Sequence, residues 1–161
     1  MEKAPLYSIG HGTRKTEELI ALLQKYGINY LIDVRSRPYS KYNPQFNQNE
    51  LNLSLAKNDI KYVFMGDDLG GRPGDALCYT LDGKIDYNIV KTRNFFKRGI
   101  ERLKTAYAKN IALAIMCSET KPENCHRSKL IGAALLNESI LLQHIDELGE
   151  LKDQVAVDLL R

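Results

Sequence analysis

Apolar and polar positions alternate along the chain in two distinct rhythms. Leu6-Tyr7-Ser8-Ile9 is a short apolar run ending in Gly10-His11-Gly12, which predicts a first strand. Leu19, Ile20, Leu22, Leu23 and Tyr26 then recur at helical spacing, and Gly27 is a natural stop. Thr13 or Thr16 is the expected helix cap, with Glu17 and Glu18 favourable in the first turn. Ile28 to Val34 predicts strand two. Ser36 to Gln48 is a polar, aromatic excursion, and Leu51, Leu53, Leu55 and Ala56 mark a short helix. Asp59 to Met65 predicts strand three.

The second half repeats the alternation. A glycine-rich, charged loop from Gly66 to Gly74 continues irregularly to about Tyr87. Connections of that length usually have a function or are disordered. Asn88 to Ala108 reads as one long helix, Ile111 to Met116 as strand four, and a helix runs from the turn after it to about Asn137. Ser139 to Ile145 predicts strand five. Leu148, Leu151, Val155 and Leu159 predict a C-terminal helix. The expected fold is α/β: a single-domain three-layer sandwich over residues 1–161, with a mostly parallel sheet of about five strands and helices on both faces.

Composition changes this picture little. Hydrophobic residues make up 43% and charged residues 27%, as in ordinary globular proteins. No apolar run nears the roughly 20 residues of a membrane span, so no membrane partner is expected. The first residues lack the pattern of a secretory signal, which predicts a cytoplasmic protein. The formal charge of +3 is compatible with an anionic partner, a small molecule or nucleic acid. Cys78, Cys117 and Cys125 are expected to be free thiols rather than a disulfide framework.

Candidate chemistry gathers where strands end, the edge on which parallel sheets bind ligands. His11 lies between two glycines and is a candidate acid, base or phosphate contact. Asp33 and Arg35 point the same way from an extended segment. They form either a local ion pair or a proton acceptor beside an anion clamp that includes Arg37. Lys41 stands among Tyr39, Tyr42 and Phe46, a mixture that can grip phosphates and stack on bases. Gly70-Gly71-Arg72 is a candidate hinge or phosphate-facing turn.

The turn after strand four holds Cys117, Glu119, Cys125, His126 and Arg127. Cys117 is too far from Arg127, and Cys125 too near, for a phosphatase loop. The close ligand pairs typical of zinc are absent, so neither a metal nor another cofactor is expected. The cysteines are either nucleophiles or small packing residues. Arg127, at the head of a helix, is expected to be an anion contact.

Several of these segments together resemble the domain of unknown function 488 family. They are Ser8-Ile9-Gly10-His11-Gly12-Thr13-Arg14, Leu31-Ile32-Asp33-Val34-Arg35-Ser36-Arg37-Pro38, Asn43-Pro44-Gln45-Phe46, Leu69-Gly70-Gly71, Met116-Cys117-Ser118-Glu119 and Cys125-His126-Arg127. The resemblance covers about residues 6 to 146, with residues 72 to 87 individual to this chain. It implies a small cytosolic protein of a kind found in bacteria, archaea and phages, sometimes labelled for DNA repair, and it assigns no reaction.

The expected function is an enzyme, a hydrolase or transferase, acting on a phosphate-bearing substrate such as a nucleotide, nucleoside or nucleic-acid component. His11, Asp33, Cys117 and Glu119 would be catalytic. Arg35, Arg37, Lys41, Gly70, Cys125, His126 and Arg127 would bind substrate. A non-catalytic nucleic-acid-binding module and a thiol redox sensor are the rival readings.

Overall fold

The structure is a computed structural model describing residues 3–161. Six strands form one sheet: β1 (Tyr7–Gly10), β2 (Tyr30–Asp33), β3 (Lys61–Phe64), β4 (Leu113–Cys117), β5 (Gln143–Ile145) and β6 (Leu151–Asp153). Their spatial order is β3-β2-β4-β1-β5-β6, and every neighbouring pair is parallel except β5 and β6. The central strand β4 is buried along its whole length, so Leu113-Ala114-Ile115-Met116-Cys117 contains no polar alternation.

Helices cover both faces. α1 (Thr16–Lys25) and α2 (Gln48–Ala56) pack Leu19, Ile20, Leu23, Leu51 and Leu55 against Ile9, Leu31 and Met116 on one face. The other face is covered after β3 and β4. α3 (Gly66–Leu69), α4 (Tyr87–Val90) and α5 (Asn94–Ala108) follow β3, and a π-helical turn, Arg127–Gly132, running into α6 (Ala133–Asn137), follows β4. Phe96, Ile100, Leu103, Leu130, Ile131 and Leu135 form that second core with Ile32, Ile115 and Leu142. α7 (Gln154–Asp158) ends the chain's regular structure.

Four local expectations are corrected. The cap of α1 is Lys15, whose N–H donates to Glu18 Oε1 at 3.0 Å; neither Thr13 nor Thr16 takes that place. The long helix from Asn88 is two helices. Thr92 closes a turn by donating from its N and Oγ1 to Ile89 O, and Arg93 is drawn aside by Asp75 at 2.7 Å. Only Gln143–Ile145 of the fifth expected strand pairs in the sheet.

The expected C-terminal helix is a hairpin followed by a shorter helix. Asp146 Oδ1 accepts the Leu148 and Glu150 N–H groups, Gly149 adopts φ +79°, and the chain returns as β6. Leu148, Leu151, Val155 and Leu159 are all exposed, so their helical spacing marks no core face.

A polar chain crosses the buried centre. Ser8, Arg127, His144 and Gln154 are wholly buried. Arg127 Nη1 donates to Ser8 Oγ, Ser8 Oγ meets His144 Nδ1, and His144 Nε2 lies 2.6 Å from Gln154 Oε1. Gln154 Oε1 accepts only, so Nε2 carries the proton and Nδ1 accepts from Ser8. Gln154 in turn donates to Ser128 O and Asp158 Oδ1, at 3.0 Å each. The π-helical turn accommodates this: a Cβ on Gly132 would collide with Gln154 Oε1.

Burial drives the His144 pKa down to about 3, with the Arg127 charge acting in the same direction. As pH falls below about 6.5 the unfolded chain takes up a proton that the folded chain refuses, so stability is flat above that pH and declines below it. His11 and His126 are shifted downward too, chiefly by burial. Urea unfolding is expected to show a loss of about 1.4 kcal/mol per pH unit from His144 between about pH 6 and pH 4, with His11 and His126 adding to it in the same direction. His144→Gln should be less stable at neutral pH but have a shallower slope; an unchanged slope would contradict the uncharged assignment.

Candidate functional site

β2 and β4 are neighbours whose outgoing chains leave toward opposite faces of the sheet, the arrangement that opens a crevice at strand ends. A cleft of about 790 Å³ lies there. The adjacent crevice between β4 and β1 is filled at its base, with a smaller cleft of about 550 Å³ above it between Gly12–Arg14 and Ser118–Thr120. His11 N and Gly12 N continue the pairing onto Cys117 O and Ser118 O, and the Glu119–Thr120 backbone lies so close over Gly10 that a Cβ would strike Glu119 O. Gly12, at φ +51°, makes the turn out of β1. The Gly10-His11-Gly12 signal therefore reflects close backbone packing.

Asp33 is wholly buried beneath the cleft. Its carboxylate accepts from Arg35 N at 3.1 Å, Arg35 Nε at 2.9 Å, Arg35 Nη2 at 2.8 Å and Tyr62 Oη at 2.6 Å. Burial and that bond raise the Tyr62 phenol pKa and keep it protonated. Arg35 Nη2 also donates to Phe46 O at 2.8 Å, and Nη1 lies 3.3 Å from His11 Nε2. His11 Nδ1 is 2.8 Å from Gly12 O, so Nδ1 carries the proton and Nε2 accepts from Arg35. Burial lowers the His11 pKa, and the Arg35 charge adds to it, leaving a neutral ring that packs on Phe46 at 4.7 Å. His11 and Asp33 thus have their polar atoms committed to the protein, and neither lines the cleft.

The cleft wall consists of other groups. Arg35, Ser36 and Arg37 come from the end of β2, and Cys117, Ser118 and Glu119 from β4. Asn124, Cys125 and His126 come from the loop beyond. Gly71, Arg72, Tyr79 and Tyr87 come from the long connection after β3. That connection is ordered by an antiparallel bridge between Tyr79 and Ile85, by Tyr79 Oη donating to Pro73 O at 2.7 Å, and by Arg72 N donating to Ser36 Oγ at 2.9 Å. Gly71 is tight against the His126 ring, where a Cβ would sit 3.0 Å from Cγ. Among the described residues, neither Arg37 nor Arg72 has an ion-pair partner.

The remaining expected residues are distributed unevenly. Glu119 is exposed on the cleft wall, with Oε1 accepting from Lys121 N at 3.2 Å. Gly70 is buried behind the wall against Ser36 and Gly66, leaving Gly71 to face the opening. Lys41 lies outside the cleft, exposed over the Tyr42 ring at 5.3 Å. Arg127 is not brought to the cleft at all. It donates to Ser8 Oγ, Ile145 O, Glu119 O and Thr120 O, and burial pulls its pKa down to about 9. Its task in the structure is to tie the Ser118–Thr120 loop to β1 and β5.

The cysteines also differ from expectation. Cys117 and Cys125 are brought sulfur to sulfur, with Cα atoms 7.4 Å apart, a span that a disulfide closes only with backbone movement. Cys78 is a free thiol, and it is buried. Spacing argues against metal and phosphatase patterns and leaves a redox pair of Cys117 and Cys125 as a rival reading, without placing the two sulfurs in contact. Sequence reasoning passed over Tyr79 and Tyr87, which the length of the connection after β3 pointed to.

The chain matches the family model described as "Domain of unknown function DUF488" over residues 15–134. It belongs to the DUF488 family. The match takes in every cleft-lining residue and leaves β1, with His11, and the β5–β6–α7 segment outside. No curated protein and no solved structure matches the chain. Among the described residues no helix is long and apolar enough to cross a membrane, and no group of three or more His, Cys, Asp or Glu is placed to hold a metal ion.

Removing Asp33 should leave the Arg35 charge buried without a partner. Asp33→Ala is expected to cost about 3–5 kcal/mol in urea unfolding. Tyr62→Phe, which removes one donor from the same carboxylate, should cost about 1 kcal/mol. Losses below 1 kcal/mol for Asp33→Ala would show the pair to be structurally dispensable.

Proposed function

We propose that the DUF488 cleft binds a phosphate-bearing substrate of the nucleotide type and that the protein is an enzyme acting on it. The observation that carries this reading is the joint presence of Arg37 and Arg72, unpaired, with Tyr79 and Tyr87 in one cleft. Guanidinium groups take phosphate oxygens bidentately, and half-buried tyrosines offer flat faces to a base. Arg35, already neutralised by Asp33, is part of the frame of this site and not its charge. Glu119 is the carboxylate on the wall and is assigned proton transfer in a hydrolytic or group-transfer reaction. A cytoplasmic protein fits that substrate class.

A second reading rests on a separate observation. Tyr39 and Tyr42 are 72% and 81% exposed, with Lys41 between them and Arg37 close by in the chain. Such a strip suits single-stranded nucleic acid leading into the cleft, through stacking and phosphate contacts.

Calorimetric titration with inorganic phosphate and nucleoside mono-, di- and triphosphates tests the first reading. Arg37→Ala and Arg72→Ala are each expected to weaken nucleotide binding by about tenfold or more, the loss of one charge-assisted contact. Absence of binding to any of these anions at low salt would overturn it. Oligonucleotide binding with a steep salt dependence, lost in a Tyr39→Ala/Tyr42→Ala double variant but retained in Glu119→Gln, would favour the second.

A further inference from the structure

The anion-binding reading leaves one group of cleft residues without a task. Cys125 Sγ lies 3.6 Å from His126 Nδ1, and His126 Nε2 lies 3.0 Å from Val34 O. A carbonyl oxygen only accepts, so Nε2 bears the proton and Nδ1 presents its lone pair toward the sulfur. Burial, opposed by backbone carbonyls and helped by the Arg127 charge, lowers the His126 pKa, so the ring is neutral near pH 7 and its Nδ1 lone pair is free beside the sulfur. A nucleophile, an adjacent base and a third group that orients the base are the parts of an activated thiol.

Cys117 sits in a different environment. Its Sγ is 3.4 Å from the carbonyl oxygen of Glu119. Among cleft residues it is also the sulfur that Cys125 touches. The two cysteines thus have unequal roles within one contact: one faces a base, the other a carbonyl.

We propose that Cys125 is a nucleophilic thiolate that reacts with hydroperoxides, with His126 as its proton acceptor and Cys117 as the resolving thiol. In the first step His126 Nδ1 takes the Cys125 proton and the thiolate attacks the peroxide's outer oxygen. The O–O bond breaks, sulfur is oxidised to the sulfenic acid, and the departing alkoxide or hydroxide leaves with the proton from His126. In the second step the Cys117 sulfur attacks Cys125 Sγ, the S–O bond breaks, and water departs with the Cys117 proton. The product is a Cys117–Cys125 disulfide, which the approach of the two sulfurs prepares and a small backbone movement completes. A dithiol reductant returns it by two exchange steps, itself becoming a disulfide. This inference extends beyond nucleotide binding and stands independently of it, since every measurement below omits nucleotide.

The reduced protein, treated with stoichiometric hydrogen peroxide, is expected to lose two hydrogens, mapped by mass spectrometry to a Cys117–Cys125 bridge. Cys117→Ser should stop at a sulfenic acid on Cys125 that a dione reagent traps. Cys125→Ser should leave Cys117 unoxidised over the same time. In the Cys117→Ser background, Cys125 alkylation at neutral pH should be at least about tenfold faster than for an unactivated thiol, whose pKa is about 8.5. His126→Asn should abolish that advantage, with circular dichroism checking the fold. His126→Gln, which keeps a donor toward Val34, provides a second variant if the first is unstable. Alkylation at the ordinary rate, or oxidation that begins on Cys117, would overturn the proposal.

Discussion

The buried pair of Asp33 and Arg35 organises the cleft. A carboxylate with no exposure is tolerable only when its lone pairs are filled, and here Arg35 and Tyr62 fill them. Once Asp33 fixes the guanidinium, that group has donors left for Phe46 O and for His11. One ion pair thereby holds the exit of β2, the Asn43–Phe46 excursion and the exit of β1 in a common geometry. The residues that follow, Ser36 and Arg37, reach the cleft from a rigid base. The free charge of the site lies in Arg37 and Arg72, one residue group farther from the core.

The sheet architecture was legible because its central strands carry what buried parallel strands require: β4 is an unbroken apolar run and β2 and β3 are nearly so, bounded by glycine and polar turns. The ordering of the strand-end motifs along one edge was legible for the same reason. What spacing does not encode is the direction in which a polar side chain turns. Asp33, His11 and Arg127 all sit at strand or helix ends and look inward, because a buried neighbour completes their bonding, and Arg35 reaches the cleft wall with most of its donors already committed. Arg72, Tyr79 and Tyr87 turn outward from a connection with no periodicity to read. The C-terminal hairpin was missed because apolar residues at intervals of three and four imply a helix only when that face is buried, and at Leu151 and Val155 it is exposed.

Arg127 shows how the two cores are joined. It is a buried cation whose partners are a hydroxyl and three carbonyls, with no carboxylate among its hydrogen-bond acceptors. Carbonyl dipoles stabilise its charge, while burial, together with the Arg14 charge, pulls its pKa down. Through Ser8 and His144 the same guanidinium is linked to Gln154 in α7. The wall that carries Glu119 therefore depends on elements from both ends of the chain, well away from the cleft in sequence.

Strand β1 pairs with β4 on one side and with β5 on the other. A segment cut at the limits of the family match would remove both β1 and β5, and with them Ser8 and His144. It would expose the flank of the most deeply buried strand and leave Arg127 without two of its acceptors. Similarity of sequence and autonomy of folding here have different boundaries. The cooperative unit is set by which strands complete the sheet, and it is larger than the stretch in which the shared residues are concentrated.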